Sequence, residues 1–322
     1  MTNPTYSVII PVFNRPGEVR DLVESLLAQT RKDFEVIVVE DGSTQTCEEV
    51  VHAYGSQLPI RYYFKSNSGP GPSRNFGFEH ALGKYLVVFD SDCILPPGYF
   101  EAVDQAMKLS ALDAWGGPDR GHEGFTAAQR AMAYTMSSIL TTGGIRGGKK
   151  RFGWFQPRSF NMGISNEVYQ RTGGFKFNRF AEDIEFSIRI KKAGFRVGLI
   201  PDAFVFHKRR ANFIQFFRQV YNFGKGRVMV GKVHPEEVRI THWFPAAFTI
   251  ATMSLILLFF TDSLLFRVAA TFYGIYIAAI FFHAWATVRQ VGIALLSVVS
   301  ALIQLWGYGA GFLIEKLRKA RL

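Results

Sequence analysis

Two hydrophobic periods alternate along roughly the first 240 positions of the chain, one of two residues and one of three to four. Residues 6–13 (YSVIIPVF) predict a first strand. Pro16 then stands where a helix starts, and Val19, Leu22, Val23, Leu26 and Leu27 mark one apolar helical face. Residues 34–40 (FEVIVVE) predict a second strand, with further strands near 60–64 and at 85–90. Strands apolar on both faces, separated by helices, predict an α/β fold with a mostly parallel, Rossmann-like sheet flanked by helices. Ligands in such sheets sit beyond the carboxyl ends of the strands, where Asp41 and Asp90 both fall.

Residues 67–77 (NSGPGPSRNFG) read as a Gly/Pro-rich turn entering a short helix. Backbone N–H groups there, with Arg74, can meet a phosphate or a base. The Gly-rich, basic segment 116–160, with RGGKK at 146–150, reads as a mobile loop near the site. A helix over about 182–193 begins with Glu182, Asp183 and Glu185, acids favoured at a helix N-terminus, and stops at Gly194. A second helix, 211–223, carries Phe213, Phe216, Phe217, Val220 and Tyr221 on one face. It fits a helix lying in a membrane interface and equally an ordinary packed one.

From 243 onward the pattern changes. Spans at about 243–261, 265–287 and 291–314 are nearly free of charge. Each is long enough to cross a hydrocarbon core of about 30 Å at about 1.5 Å per residue. Trp243, Trp285 and Trp306 are candidate interface anchors, and Gly307 with Gly311 forms a GxxxG helix contact. His283, deep in a span, reads as structural. The expected division is therefore 1–210 as the catalytic domain, 211–242 as an interfacial amphipathic helix and linker, and 243–322 as a transmembrane region. Three crossings would carry the basic tail (Lys316, Arg318, Lys319, Arg321) away from the side of the N-terminal domain. That opposes the positive-inside tendency, unless the tail is tolerated or one span is re-entrant.

Charge sharpens this picture. The net charge is +11, and much of the Lys and Arg flanks the hydrophobic region, at 225–239 and 316–321 among others. That distribution suits anionic lipid headgroups and gives no nucleic-acid recognition module. The two cysteines, Cys47 and Cys93, form no disulfide framework. The N-terminal stretch MTNPTYSVIIPVF has no basic region or cleavage site and is not expected to be a signal peptide.

The candidate chemistry centres on FDSD at 89–92. Asp90 and Asp92, two residues apart at a strand end, can converge on one hard cation and on sugar hydroxyls. Around this pair SVIIPVFNRP, VVEDGST, SGPGPSRNFG, NMGISNEVYQRTGGF and AEDIEFSIRIKKAGFRV occur in fixed order. Over about residues 5–230 the ordered set resembles a family 2 glycosyltransferase of the GT-A fold, and the tail resembles membrane-anchored members.

The resemblance implies roles residue by residue. Pro11 and Phe13 would flank the nucleobase, and Asp41 would read it, although Asp41 also fits a plain Asp-Gly-Ser turn. Family members often have Asp-Asp-Gly-Ser, where this chain has Glu40 first. Arg74 matches the Arg of an Ala-Arg-Asn segment, with Ser73 in place of the Ala. Asp90 and Asp92 match the DxD motif, with Asp92 the main ligand of Mg²⁺ or Mn²⁺ and His207 a further ligand. His207, before Lys208-Arg209-Arg210, also fits a basic surface. Asp183 matches the general base, Glu182 supports it, and Met162-Gly163 would line the acceptor side.

The expected activity is inverting transfer of one sugar from a nucleotide-sugar, UDP-linked first and GDP-linked second, to a lipid-linked acceptor at the membrane. The catalytic domain would face the cytoplasm, under an inner or plasma membrane, and a homo-oligomer through the transmembrane helices is allowed for. The Q-x-x-R-W of processive synthases has no counterpart in Gln219–Phe223, which disfavours the alternative of a polysaccharide polymerase. A non-catalytic nucleotide-sugar-binding scaffold would be expected to lack the acids, and all of them are present.

Overall fold

The computed structural model describes residues 3–120, 125–142, 154–207, 212–261 and 263–318. Two compact units are formed: Met1–His122 with Phe155–Lys208, and Glu123–Trp154 with Arg209–Leu322.

In the first unit the predicted strands are β1 (Tyr6–Val12), β2 (Phe34–Asp41), β3 (Ile60–Lys65) and β4 (Tyr85–Phe89). They alternate with helices α1 (Pro16–Leu27), α2 (Glu48–Tyr54) and α3 (Pro70–Glu79). A two-residue strand β5 (Cys93–Ile94) and helix α4 (Tyr99–Ser110) follow, then β6 (Ala114–Gly116) and β7 (Asp119–Arg120). After the chain returns from the second unit it adds β8 (Asn161–Ser165), α7 (Asn166–Thr172), α8 (Glu182–Lys192), β9 (Val197–Leu199) and β10 (Val205–His207).

The main sheet has the order β3-β2-β1-β4-β8-β6-β9. All neighbours are parallel except β8, which runs antiparallel to both β4 and β6. Both faces are covered, as the unbroken apolar runs require. Along β1, Val8 and Ile10 join the core under α1, while Ile9 joins the core on the other face, with Phe78, Phe175 and Phe186. β4 divides the same way: Val87 and Phe89 on one side, Leu86 and Val88 on the other. A small second sheet, β5-β10-β7, carries the chain beyond Asp92.

The second unit is helical: α5 (Ala127–Ser137), α6 (Ile139–Thr142), α9 (Phe213–Val233), α10 (Phe244–Phe259), α11 (Leu264–Val288) and α12 (Val291–Leu317). Among the described residues, three segments are long and apolar enough to cross a membrane: Ile240–Phe259, Leu264–Val288 and Val291–Leu317. Of 25 residues in α11 only Ile280 and Ala284 are buried, so most of its apolar surface lacks protein cover.

Glycines set the spacing of this bundle. A Cβ on Gly311 would lie 2.0 Å from the Tyr221 carbonyl oxygen, and one on Gly307 2.6 Å from the Val220 side chain, both in α9. A Cβ on Gly224 of α9 would lie 2.1 Å from the carbonyl oxygen of Tyr308. The GxxxG is thus a contact inside the chain, closing α12 on α9.

Three expectations change here. Segment 116–160 is no single loop: α5 begins at a Thr126–Gln129 capping box and packs in the second unit, while 146–150 lies outside the described residues. Tyr134 of α5 shares a 2.6 Å hydrogen bond with Nδ1 of His283, giving that histidine a structural partner. The helix expected over 211–223 extends to Val233, and its stripe is covered by protein in part, with Phe216 and Val220 buried beside Met132 and Ile303 and Phe217 41% exposed. Trp306 is no interface anchor, because it donates Nε1–H to Thr252 Oγ1 at 3.1 Å, midway along α12.

Candidate active site

Parallel pairing brings the carboxyl ends of β1, β2 and β4 to one edge, where the predicted acids stand. Pro11 pairs with Val39 across β1 and β2, and Phe13, just past β1, is 50% exposed. Asp41 ends β2 opposite Lys65 of β3. Its carboxylate accepts from Lys65 Nζ at 2.5 Å and from the backbone N–H groups of Ser68 and Gly69 at 2.9 and 2.8 Å. Burial alone would raise its pKa, but these three donors win and hold it below the usual carboxylate value. The Ser68 and Gly69 amides, read in the sequence as donors for a phosphate or base, are therefore occupied by Asp41. Glu40 is fully buried and accepts from the Cys47 N–H at 2.8 Å and from the Ser43 hydroxyl, so it shapes the turn after β2.

Asp90 follows β4 directly. Arg74, in the middle of α3 and only 2% exposed, donates Nη2 to Asp90 at 2.8 Å and Nη1 to Glu182 at 2.9 Å. One planar guanidinium thus ties the end of β4 to the start of α8. Burial lowers the Arg74 pKa, and Asp90 with Glu182 more than offset it. Burial pushes the Glu182 carboxyl up to about 7, with Arg74 pulling against that shift and Asp183 adding to it. Ala181, before this pair, has φ 56, a left-handed conformation that an L-residue adopts at a cost of roughly 1–2 kcal/mol. Asp183 accepts from the Ile184 N–H at 2.8 Å and lies 3.6 Å from Arg158 Nη1.

Asp92 is 7% exposed and accepts from Arg15 Nη1 at 2.5 Å. His207 pairs through its backbone with Cys93, the residue after Asp92, so the topology brings its position beside the motif. The His207 side chain lies outside the described residues.

Met162 and Gly163 are not in an acceptor loop. They sit inside β8, opposite Val88 and Val87, and Met162 is fully buried. A Cβ on Gly163 would lie 2.1 Å from the Trp115 indole, so this glycine makes room for a core ring.

Three cations here were not singled out in the sequence: Arg15, Lys65 and Arg158. Only for Lys65 was a signal available, since the β2–β3 register sets it against Asp41. Arg15 and Asp92 are 77 positions apart, and no local pattern joins them.

Among the described residues, no group of three or more His, Cys, Asp or Glu side chains converges on a metal position. Two aspartates at a strand end do fit Mg²⁺ or Mn²⁺, which bind one or two carboxylates and take their other oxygens from phosphates and water.

A parallel sheet broken by one antiparallel strand, with carboxylates at its edge and after β4, defines a GT-A glycosyltransferase fold. The structure is similar to the mannosyltransferase PcManGT from Pyrobaculum calidifontis, solved with GDP-Man and Mn²⁺. The TM-score is 0.67 at 18% identity, covering 95% of this chain and 88% of that one. It is also similar to S. aureus TarS residues 1–349 in complex with UDP-GlcNAc, with a TM-score of 0.50 at 17% identity, covering 97% and 91%. The family model described as Glycosyl transferase family 2 matches residues 7–173, and the chain belongs to that family.

Curated relatives include an uncharacterized glycosyltransferase of Rickettsia felis, 44% identical over 86 residues, 27% of this chain and 14% of that protein. The uncharacterized glycosyltransferase YibD of Escherichia coli is 37% identical over 98 residues, 30% of this chain and 28% of that protein. The uncharacterized glycosyltransferase EpsJ of Bacillus subtilis is 24% identical over 220 residues, covering 65% and 62%. In each case the match spans less than two thirds of the relative's length.

Proposed function

We propose that this glycosyltransferase is anchored in a membrane and transfers one sugar, with inversion, from a nucleotide-sugar to a lipid-linked acceptor. The observation that carries the reading is the Arg74 bridge, which joins the strand-end acid Asp90 to the Glu182-Asp183 pair. It makes one unit of a donor side and a base side. Pro11, Phe13 and Asp41 would hold the nucleobase, and Asp90 and Asp92 the diphosphate end, with His207 as a further ligand. The solved similar folds were complexed with GDP-Man and UDP-GlcNAc, so both nucleotides belong in a donor screen, UDP first.

When bound, Mg²⁺ or Mn²⁺ would neutralise the departing nucleoside diphosphate as a Lewis acid. Asp183 takes the proton from an attacking acceptor hydroxyl, and Arg158 Nη1 lies 3.6 Å from its carboxylate. A base and a leaving group on opposite faces of the sugar give direct displacement and an inverted anomeric centre. The apolar surfaces of the three long helices support a lipid-borne acceptor, because a membrane-bound enzyme meets soluble donor and lipid acceptor at one surface. The absence of Arg and Trp from Gln219–Phe223 supports single transfer.

The test is product analysis with purified protein, lipid acceptor and labelled donor. The expected product carries one sugar in the inverted configuration, and Asp183→Asn lowers turnover by about 10²–10⁴-fold while donor still binds. A retained configuration, long chains, or unchanged turnover in the variant would each contradict the proposal.

A further inference from the structure

One strong ion pair beside the site has no role in the transfer just described. Arg15 caps α1 directly after Asn14 and donates Nη1 to Asp92 Oδ2 at 2.5 Å, with side-chain exposures of 35% and 8%. The backbone that carries it is fixed. Asn14 has φ 55, its N–H donates to Ser43 Oγ at 2.7 Å, and its Oδ1 accepts from the Thr44 and Gln45 N–H groups at 2.8 and 3.0 Å. The loop after β1 is thereby stapled to the loop after β2, and Arg15 is held at the motif. Asp90 adds to the negative field around the same guanidinium.

This arrangement has a consequence for cation binding, given the reading of Asp92 as the metal ligand, on which it rests. A divalent ion needs the Asp92 oxygens at about 2.0–2.6 Å. A guanidinium already on that carboxylate repels such an ion and must move to admit it. Arg15 displaced into water loses a charge-assisted bond, unless another anion replaces Asp92. The diphosphate of a nucleotide-sugar is such an anion, and the planar fork of Arg matches phosphate oxygens. Cation and donor then favour each other's binding, and by linkage the coupling is reciprocal.

We infer that Arg15 is a positioning residue that keeps Asp92 closed to a free divalent cation and passes to the donor's diphosphate when donor and cation bind together. Arg15 is thus a stand-in cation for the empty state, and donor loading is its release.

The test is Mn²⁺ binding to the full-length protein in detergent, read by the loss of the free-ion electron paramagnetic resonance signal. It is run with no nucleotide, with UDP and with GDP. Wild type is expected to bind free Mn²⁺ weakly and about tenfold more tightly with the matching nucleotide. Arg15→Gln is expected to bind free Mn²⁺ about tenfold more tightly than wild type, and to lose most of the nucleotide enhancement. Arg15→Lys, a point charge without the fork, should fall between them. It also serves if the Gln variant does not fold. Unchanged or weaker free Mn²⁺ binding in both variants, or wild-type binding indifferent to nucleotide, overturns the inference. Asp92→Asn separates the two layers: if it abolishes Mn²⁺ binding, the ligand reading stands whatever Arg15 does, and if it binds Mn²⁺ like wild type, the ligand reading fails first.

Discussion

At the scale of single residues, each predicted acid at the edge of the sheet meets a basic side chain from another segment. Asp41 has Lys65, Asp90 has Arg74, Asp92 has Arg15, and Asp183 has Arg158. Glu182 is the acid whose environment opposes its charge most clearly. The ordinary carboxyl value is 4.5, and burial with Asp183 alongside brings the folded value to about 7 despite Arg74. Between those values the folded state binds the extra proton. Stability tied to Glu182 is therefore present below pH 4.5 and lost as the pH rises through 7. Thermal unfolding of wild type and Glu182→Gln, followed from pH 5 to 8, should show the wild-type midpoint falling more steeply. Parallel curves would refute this assignment. The acids themselves were legible in the sequence because a strand-end Asp pair and a helix-start Glu-Asp pair are local patterns. Of their partners Arg74 was legible too, but Arg15 and Arg158 were not, since they reach the acids through tertiary folding alone.

At the scale of elements, β1 to β4, α1 and α8 were legible because each has a clean period and a stop signal, such as Gly194 after α8, with φ 85. From sequence alone β8 reads as a loop, since Asn-Met-Gly-Ile-Ser has weak strand character and its Gly suggests backbone approach to a ligand. What approaches is Trp115, so shape in the core decided the residue. The sequence pattern ends α9 at Phe223, because Gly224, Lys225 and Gly226 resemble a helix end. In the bundle Gly224 allows close contact with α12, and that packing outweighs helix propensity. Gly224→Val would drive a side chain into the Tyr308 carbonyl, where a Cβ has only 2.1 Å. The expected loss is about 1–3 kcal/mol or more, as lowered thermal stability in detergent. An unchanged midpoint would mean that α9 and α12 do not pack this closely.

At the scale of the whole molecule, the chain passes between two units three times, at residues 122–123, 154–155 and 208–209. The first and second passages were invisible in the sequence. The 116–160 stretch is rich in glycine and charge, and the partners that fix α5 stand some 150 positions later, where Tyr134 bonds the Ile280 carbonyl and His283. The three long helices were legible from length and composition alone. They predict that the protein stays in the membrane fraction through alkaline carbonate and high salt and leaves it only with detergent. Release by carbonate would contradict a spanning anchor.

On the proposed function, Asp92 and a divalent ion serve transfer from a nucleotide-sugar. Its most direct measurement is nucleoside diphosphate release from UDP- and GDP-sugars by purified protein in detergent with lipid. The assay is run with Mg²⁺ or Mn²⁺, with chelator, and with Asp92→Ala. Release is expected to need the metal, to stop with chelator and to fall at least about a hundredfold in the variant. Equal release with chelator, or by Asp92→Ala, would contradict this.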